Sequence, residues 1–282
     1  MILRVSSASS AVNEFEFIEP VLEANDLTFK VGSRELISDI SAAFEPGRLH
    51  LIIGPNGAGK STLIKVLARL LRPNTGTVEY EGIDVIKTGE ADLAKGRAVL
   101  SQAVEVAFPL TVREIVMMGR YPHFTGRPGT VDERIVGEMM EFFEINEFES
   151  RNYQTLSGGE RQRVNFARVL SQLWRVDPEI SGPCRYLFLD EPLTFLDIHH
   201  QIAFMRKIKD FTSAPDVVTV GVVHDLNLAA RFADHILLLN NGKLVANGTA
   251  AEVLTTERIR EVFEVEARFV PVEGSGLHLV FD

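Results

Sequence analysis

Apolar residues follow two rhythms along this chain. Strand-length blocks come first: Val21-Leu-Glu-Ala24, Leu27-Thr-Phe-Lys-Val31 and Ile40-Ser-Ala-Ala-Phe44, then a Pro46-Gly47 turn and the continuous run Leu49-His-Leu-Ile-Ile53. The short blocks predict strands, and a continuous run predicts a strand buried on both faces, as in a parallel sheet. Leu63, Ile64, Val66, Leu67, Leu70 and Leu71 then recur at helical spacing, with Pro73 and Gly76 as the predicted stop. Thr77-Val-Glu-Tyr80 and Arg97-Ala-Val-Leu-Ser101 read as further strands. Residues 103–155 are mainly helical and break the strand–helix alternation, as an inserted helical subdomain would. Alternation returns from Leu156, with apolar strands ending at Leu189 and Val223. Ile236-Leu-Leu-Leu239, Asn241-Gly242 and Lys243-Leu-Val245 predict a hairpin. A last helix near Glu257 to Phe263 precedes a short β-like tail. The pattern is α/β, with no internal repeat.

The chemistry sits at the joints. Gly54, Pro55, Asn56, Gly57, Ala58, Gly59, Lys60, Ser61 and Thr62 link the Leu49–Ile53 run to the first helix and fit G-x-x-x-x-G-K-[ST]. Glycines let the backbone curl around phosphates, and loop N–H groups with the helix N-terminus face the anion. Lys60 is expected to reach the β- and γ-phosphates of ATP, and Ser61 to offer its hydroxyl to Mg²⁺. Tyr186-Leu-Phe-Leu-Asp190-Glu191 ends a strand in two acids, where parallel sheets carry their ligand chemistry. Asp190 is expected to hold Mg²⁺, directly or through water, and Glu191 to polarise the attacking water. A second glycine-rich segment, Leu156-Ser-Gly-Gly-Glu160, opens a helix with Ser157 as its cap. As bare chemistry it is equally an anion grip and an ordinary capped helix start.

In their order and spacing these motifs resemble the ATP-binding subunits of ABC transporters, over roughly residues 20–265. Leu156 to Glu160 is similar to the family signature, Gln102 to the Q-loop glutamine, Leu196-Asp197 to the D-loop and His224 to the switch histidine. The resemblance implies a P-loop ABC-type domain with an antiparallel β subdomain and an inserted helical subdomain. It also implies a head-to-tail pair of copies. ATP at Lys60 of one copy would be closed over by Ser157, Gly158, Gly159 and Glu160 of the other. Gln102 would ligate Mg²⁺ or the attacking water, and His224 would contact the γ-phosphate.

Two places depart from the family pattern. Many members stack an aromatic on adenine, but Val31 stands ahead of Gly32 here, with Phe29 two residues earlier. Pro192-Leu-Thr-Phe195 replaces the commoner Pro-Thr-Ser-Ala, and Phe195 would sit at the dimer seam. Residues 107–124, including Phe108, Met117 and Tyr121, are the stretch expected to meet a membrane permease. Gly119-Arg-Tyr-Pro-His123 is similar to importers of iron–siderophores, haem and cobalamin. The longer link from Asp177 to Cys184 and Val223-His-Asp-Leu-Asn-Leu-Ala-Ala-Arg231 resemble haemin-import ATPases most. The implied function is an ATP-hydrolysing importer motor, for haem first and for siderophore or cobalamin as the alternative. A soluble ABC-type ATPase of cofactor assembly is the rival class.

Composition narrows the partners. A net charge of −10 over 282 residues argues against a nucleic acid held by phosphate neutralisation. No apolar run approaches the roughly 18 residues of a membrane helix, so any membrane association must go through a partner, and the family resemblance implies a peripheral location on the cytoplasmic face of the inner membrane. The expected partners are a second copy, a polytopic permease dimer and, indirectly, a solute-binding protein. Cys184 is the only cysteine and reads as a packing residue. Residues 1–19 read as a flexible tail, 20–265 as the ATP-binding domain and 266–282 as a short extension.

Overall fold

Three sheets organise the chain in a computed structural model that describes residues 19–101, 108–176, 182–194, 196–272 and 276–281. The first sheet is antiparallel. β1 (Leu22–Val31) lies between β2 (Arg34–Phe44) and β4 (Thr75–Tyr80), and the two-residue β5 (Ile83–Asp84) completes the order β2-β1-β4-β5. The two strands expected over residues 21–31 are one strand with a bulge. Asp26 takes a left-handed φ of 52°, and its N–H donates to Ser41 Oγ at 2.9 Å. That partner on β2 lets the polar Asn25-Asp26 pair stay within the strand instead of turning the chain.

β3 (Leu49–Ile53) centres the second sheet, followed by the glycine loop and α1 (Lys60–Leu67). α1 is shorter than its apolar period. Arg69 is left-handed at φ 52°, and the N–H groups of Leu70 and Leu71 both reach back to Lys65 O, so those two leucines belong to a C-terminal cap. α2 (Glu90–Gly96) leads into β6 (Arg97–Leu100). α3 (Val112–Met118), α4 (Thr130–Phe142) and α5 (Gly158–Leu173) then pack together before β7 (Arg185–Leu189). α6 (Ile198–Thr212), β8 (Val217–Val222), α7 (Leu226–Phe232), β9 (His235–Asn240) and β10 (Lys243–Gly248) complete the sheet in the order β10-β9-β3-β8-β7-β6. Every pairing is parallel except the edge strand β10. Asn241 and Gly242 both have positive φ, as the two-residue turn between β9 and β10 requires. α8 (Ala250–Val253) and α9 (Thr256–Phe263) lead to a separate hairpin, β11 (Ala267–Val272) and β12 (Gly276–Phe281).

The central sheet is buried on both faces, which explains its unbroken apolar runs. Leu187 and Leu189 of β7 join one core with α3, α4 and α5, while Tyr186 and Phe188 join the other with α1 and the antiparallel sheet. β9 splits likewise, Ile236 and Leu238 to the first core and Leu237 and Leu239 to the second. The carboxyl ends of β3, β7 and β8 therefore converge between two packed layers.

Candidate active site

The glycine loop is braced from outside its own sequence. A Cβ on Gly54 would stand 2.1 Å from Leu239 O of β9, and one on Gly59 2.5 Å from Leu36 O of β2. Both glycines also have positive φ, so only glycine fits. The β9–β10 turn adds a third brace. Gly242 N–H donates to Ala58 O at 3.1 Å, and Gly242 O accepts from Ser38 N–H at 2.8 Å. Lys60, buried at the start of α1, donates from Nζ to Gly54 O at 2.8 Å and Pro55 O at 2.9 Å. Burial pulls its pKa down, against the opposing pull of Glu191 and Asp190.

Ser61 and Asp190, both expected to hold Mg²⁺, meet in the fold. Ser61 Oγ donates to Asp190 Oδ1 at 2.7 Å across 129 residues of sequence. Asp190 is buried, and its N–H donates to Leu100 O. Glu191 turns left-handed at φ 52°, an uncommon conformation for a non-glycine residue. Its Oε1 lies 2.9 Å from His224 Nε2 at the end of β8. Glu191 lines two cavities. One, of about 230 Å³, holds Asn56 to Thr62 with Arg34 and Leu36. The other, of about 240 Å³, holds Leu193, Thr194, His224 and Leu228. Lys60, Ser61, Asp190, Glu191 and His224 are thus one constellation.

Ser157 to Glu160 stand elsewhere and line neither cavity. Ser157 Oγ accepts from Glu160 N–H at 3.3 Å, and Glu160 Oε2 accepts from Ser157 N–H at 2.6 Å, a reciprocal cap on α5. Those bonds from Ser157 hold the Glu160 carboxyl below its usual pKa. Ser157 and Gly158 are exposed. Asp197 caps α6, accepting from His200 N–H at 2.9 Å, which lowers its pKa. Gln102, Phe195 and residues 177–181 lie outside the described residues. Cys184 is half-buried, and burial raises its thiol to about 11, so it stays protonated. Val31 is exposed, and Phe29 packs against the second core.

A family model described as ABC transporter matches residues 37–194, over half of the chain. This chain belongs to the ABC transporter family. It is the ATP-binding subunit and an ATPase. The hemin import ATP-binding protein HmuV of Bordetella avium (strain 197N) is 41% identical over 250 residues, covering 89% of this chain and 94% of that protein. Its counterpart in Chelativorans sp. (strain BNC1) is 40% identical over 248 residues, 88% of this chain and 93% of that one. Among solved structures, an inward-facing metal-chelate type ABC transporter matches with a TM-score of 0.77 at 23% identity, over 94% of this chain and 98% of that one. A dimeric bacterial ABC transporter cassette matches at 0.69 and 23%, over 81% and 98%. At such identity these structures support the ABC fold alone. Arg34, with Leu36, lines the glycine-loop cavity although the motifs did not reveal it. It follows the β1–β2 turn and meets the glycine loop only through the fold.

Proposed function

We propose that this ABC ATPase is the motor of a haem importer. The observation that carries the reading is 40–41% identity, over nearly the whole chain, to proteins named for hemin import. The soluble assembly ATPase is not favoured by those relatives.

In this reading Lys60 and the loop N–H groups hold the ATP phosphates. Ser61 and Asp190 are hard oxygen donors already within 2.7 Å of each other, which suits Mg²⁺. They would hold it, with Gln102, and the ion would neutralise charge building on the phosphates. Glu191 takes the proton of the attacking water, and His224, 2.9 Å away, contacts the γ-phosphate. Ser157 and Gly159 close over the ATP of a second copy, excluding water other than the nucleophile. Ser157 is exposed at the start of α5 and Gly159 half-buried, and neither lines the chain's own loop cavity, which supports that division. Asp197 would lie near the seam.

The motor needs a permease. No described helix is long and apolar enough to cross a membrane. Phe108 and Tyr121 are exposed large apolar side chains, 72% and 58%, in the stretch assigned to the permease. Met117 packs against the core instead. An apolar groove of about 820 Å³ opens nearby, with Leu93, Val131, Ile135 and Trp174 in its walls and Arg120 and His123 beside them. A short permease helix suits such a groove. The ATPase is then peripheral, held at the inner face of the membrane by its partner. Affinity purification of the native subunit in detergent tests this. A polytopic protein that travels with it supports the reading, and a subunit that purifies alone contradicts it.

A further inference from the structure

The C-terminal hairpin is built into the core rather than appended to it. Ala267 stands opposite Phe281 and Phe269 opposite Leu279. Opposed residues in an antiparallel pair share a face. On this one Ala267 and Leu279 are buried, clustering with Leu228, Ala229 and Phe232 of α7 and with Ile259 and Val262 of α9. One side chain fixes the hairpin's position against α7. Asn227 Oδ1 accepts from Leu279 N–H at 2.7 Å, and Asn227 Nδ2 donates to Leu279 O at 3.1 Å. The amide supplies the two bonds that a neighbouring strand would make. Leu279 is only 2% exposed. Without Asn227 its N–H and C=O would be left buried, at about 1–3 kcal/mol for an unsatisfied group.

The same residue lies three positions after His224. Asn227 N–H donates to Asp225 Oδ1 at 2.7 Å, and Leu228 N–H donates to it at 3.0 Å, so a capped turn joins the imidazole to the hairpin contact. Leu228 continues the link. It lines the cavity shared by Glu191 and His224 and belongs to the core that holds the hairpin. His224, the α7 cap and β12 are therefore joined by an unbroken run of contacts.

We propose that Asn227 is a positioning residue for hydrolysis: by clamping α7 to β12 it sets where His224 stands relative to Glu191. The C-terminal hairpin then governs the rate of ATP turnover without touching ATP. The inference rests on the reading of His224 as a γ-phosphate contact.

A double-mutant cycle on the full-length chain tests it, with steady-state ATP hydrolysis as the readout. Asn227→Ala is expected to lower kcat roughly tenfold, as misplacement of an active group does. KM for ATP should stay within about twofold, because the loop grip is untouched. In a His224→Ala background the same change should cost nothing more, since Asn227 acts through that histidine. Asn227→Asp keeps the bond from Leu279 N–H and loses the other, so it should fall between. It also serves should the alanine variant fail to fold. A wild-type kcat in both Asn227 variants, or losses that multiply with His224→Ala, overturns the inference and leaves the clamp a purely stabilising contact. A wild-type rate in His224→Ala alone overturns the reading of His224, and the inference with it.

Discussion

Glu191 carries the most consequence for one residue. It lines both cavities, touches His224 and holds a left-handed backbone. Glu191→Gln keeps the side-chain shape and removes the proton acceptor. ATP turnover should fall by about 10²–10⁴-fold, with an ATP-bound dimer accumulating in light scattering. A wild-type rate would contradict the assignment. His50 belongs to the same scale and affects stability. It is completely buried on β3, with Phe44 edge-on to its ring at 5.2 Å and Nε2 3.1 Å from Glu45 O. Burial lowers its pKa from 6.5 to about 4. Between those values the unfolded chain binds the extra proton and the folded chain does not. Stability should therefore fall as pH drops through that window, by about 3 kcal/mol in all. His123 is shifted the same way, also by burial. His50→Phe fills the space without titrating. Urea unfolding from pH 7 to 4.5 should show a flatter loss than wild type, and an unchanged slope would contradict the account. The sequence revealed Lys60 and Glu191 because their motifs are local. It concealed Arg34 and the environment of His50, because those depend on strands distant in the chain.

Among the elements, α5 joins the two ends of the proposed mechanism. Its N-terminus presents Ser157. Its C-terminal turn receives the stretch that follows α3, with Arg120 donating to Ser171 O at 2.7 Å and His123 bonded to Gln172 O at 2.7 Å. A Cβ on Gly119 would stand 2.0 Å from Arg168 O, so this contact requires glycine. Arg120 also pairs with buried Asp132 of α4 at 3.1 Å. Gln172 in turn donates to Ala94 O and Arg97 O, tying α5 to the strand that leads toward Gln102. A bulky Ser157→Phe change at the far end should leave ATP binding to the monomer intact while blocking turnover. Fluorescent-nucleotide binding beside an ATPase assay separates the two, and equal loss of both would argue against a shared site. Element types were legible from the apolar rhythm. Their limits were not, because β1 bulges through a partner on β2 and α1 ends in a cap that keeps apolar residues beyond it.

At the scale of the whole molecule, the first glycine-rich segment lines the loop cavity and the second does not, and the apolar groove beside Arg120 is lined by neither. In the proposed reading, pairing of copies would bring the two segments together, and a permease would fill the groove. The sequence indicated the motor and its cargo group through motifs and resemblance. It could not display the groove, which α2, α4 and the end of α5 enclose only after folding. The most direct measurement is ATP turnover by the subunit reconstituted in proteoliposomes with its permease and solute-binding protein. The account predicts that haem-loaded binding protein raises the rate several-fold over basal while cobalamin and ferric siderophore do not. Equal rates with and without haem, or stimulation by cobalamin or siderophore alone, would contradict it.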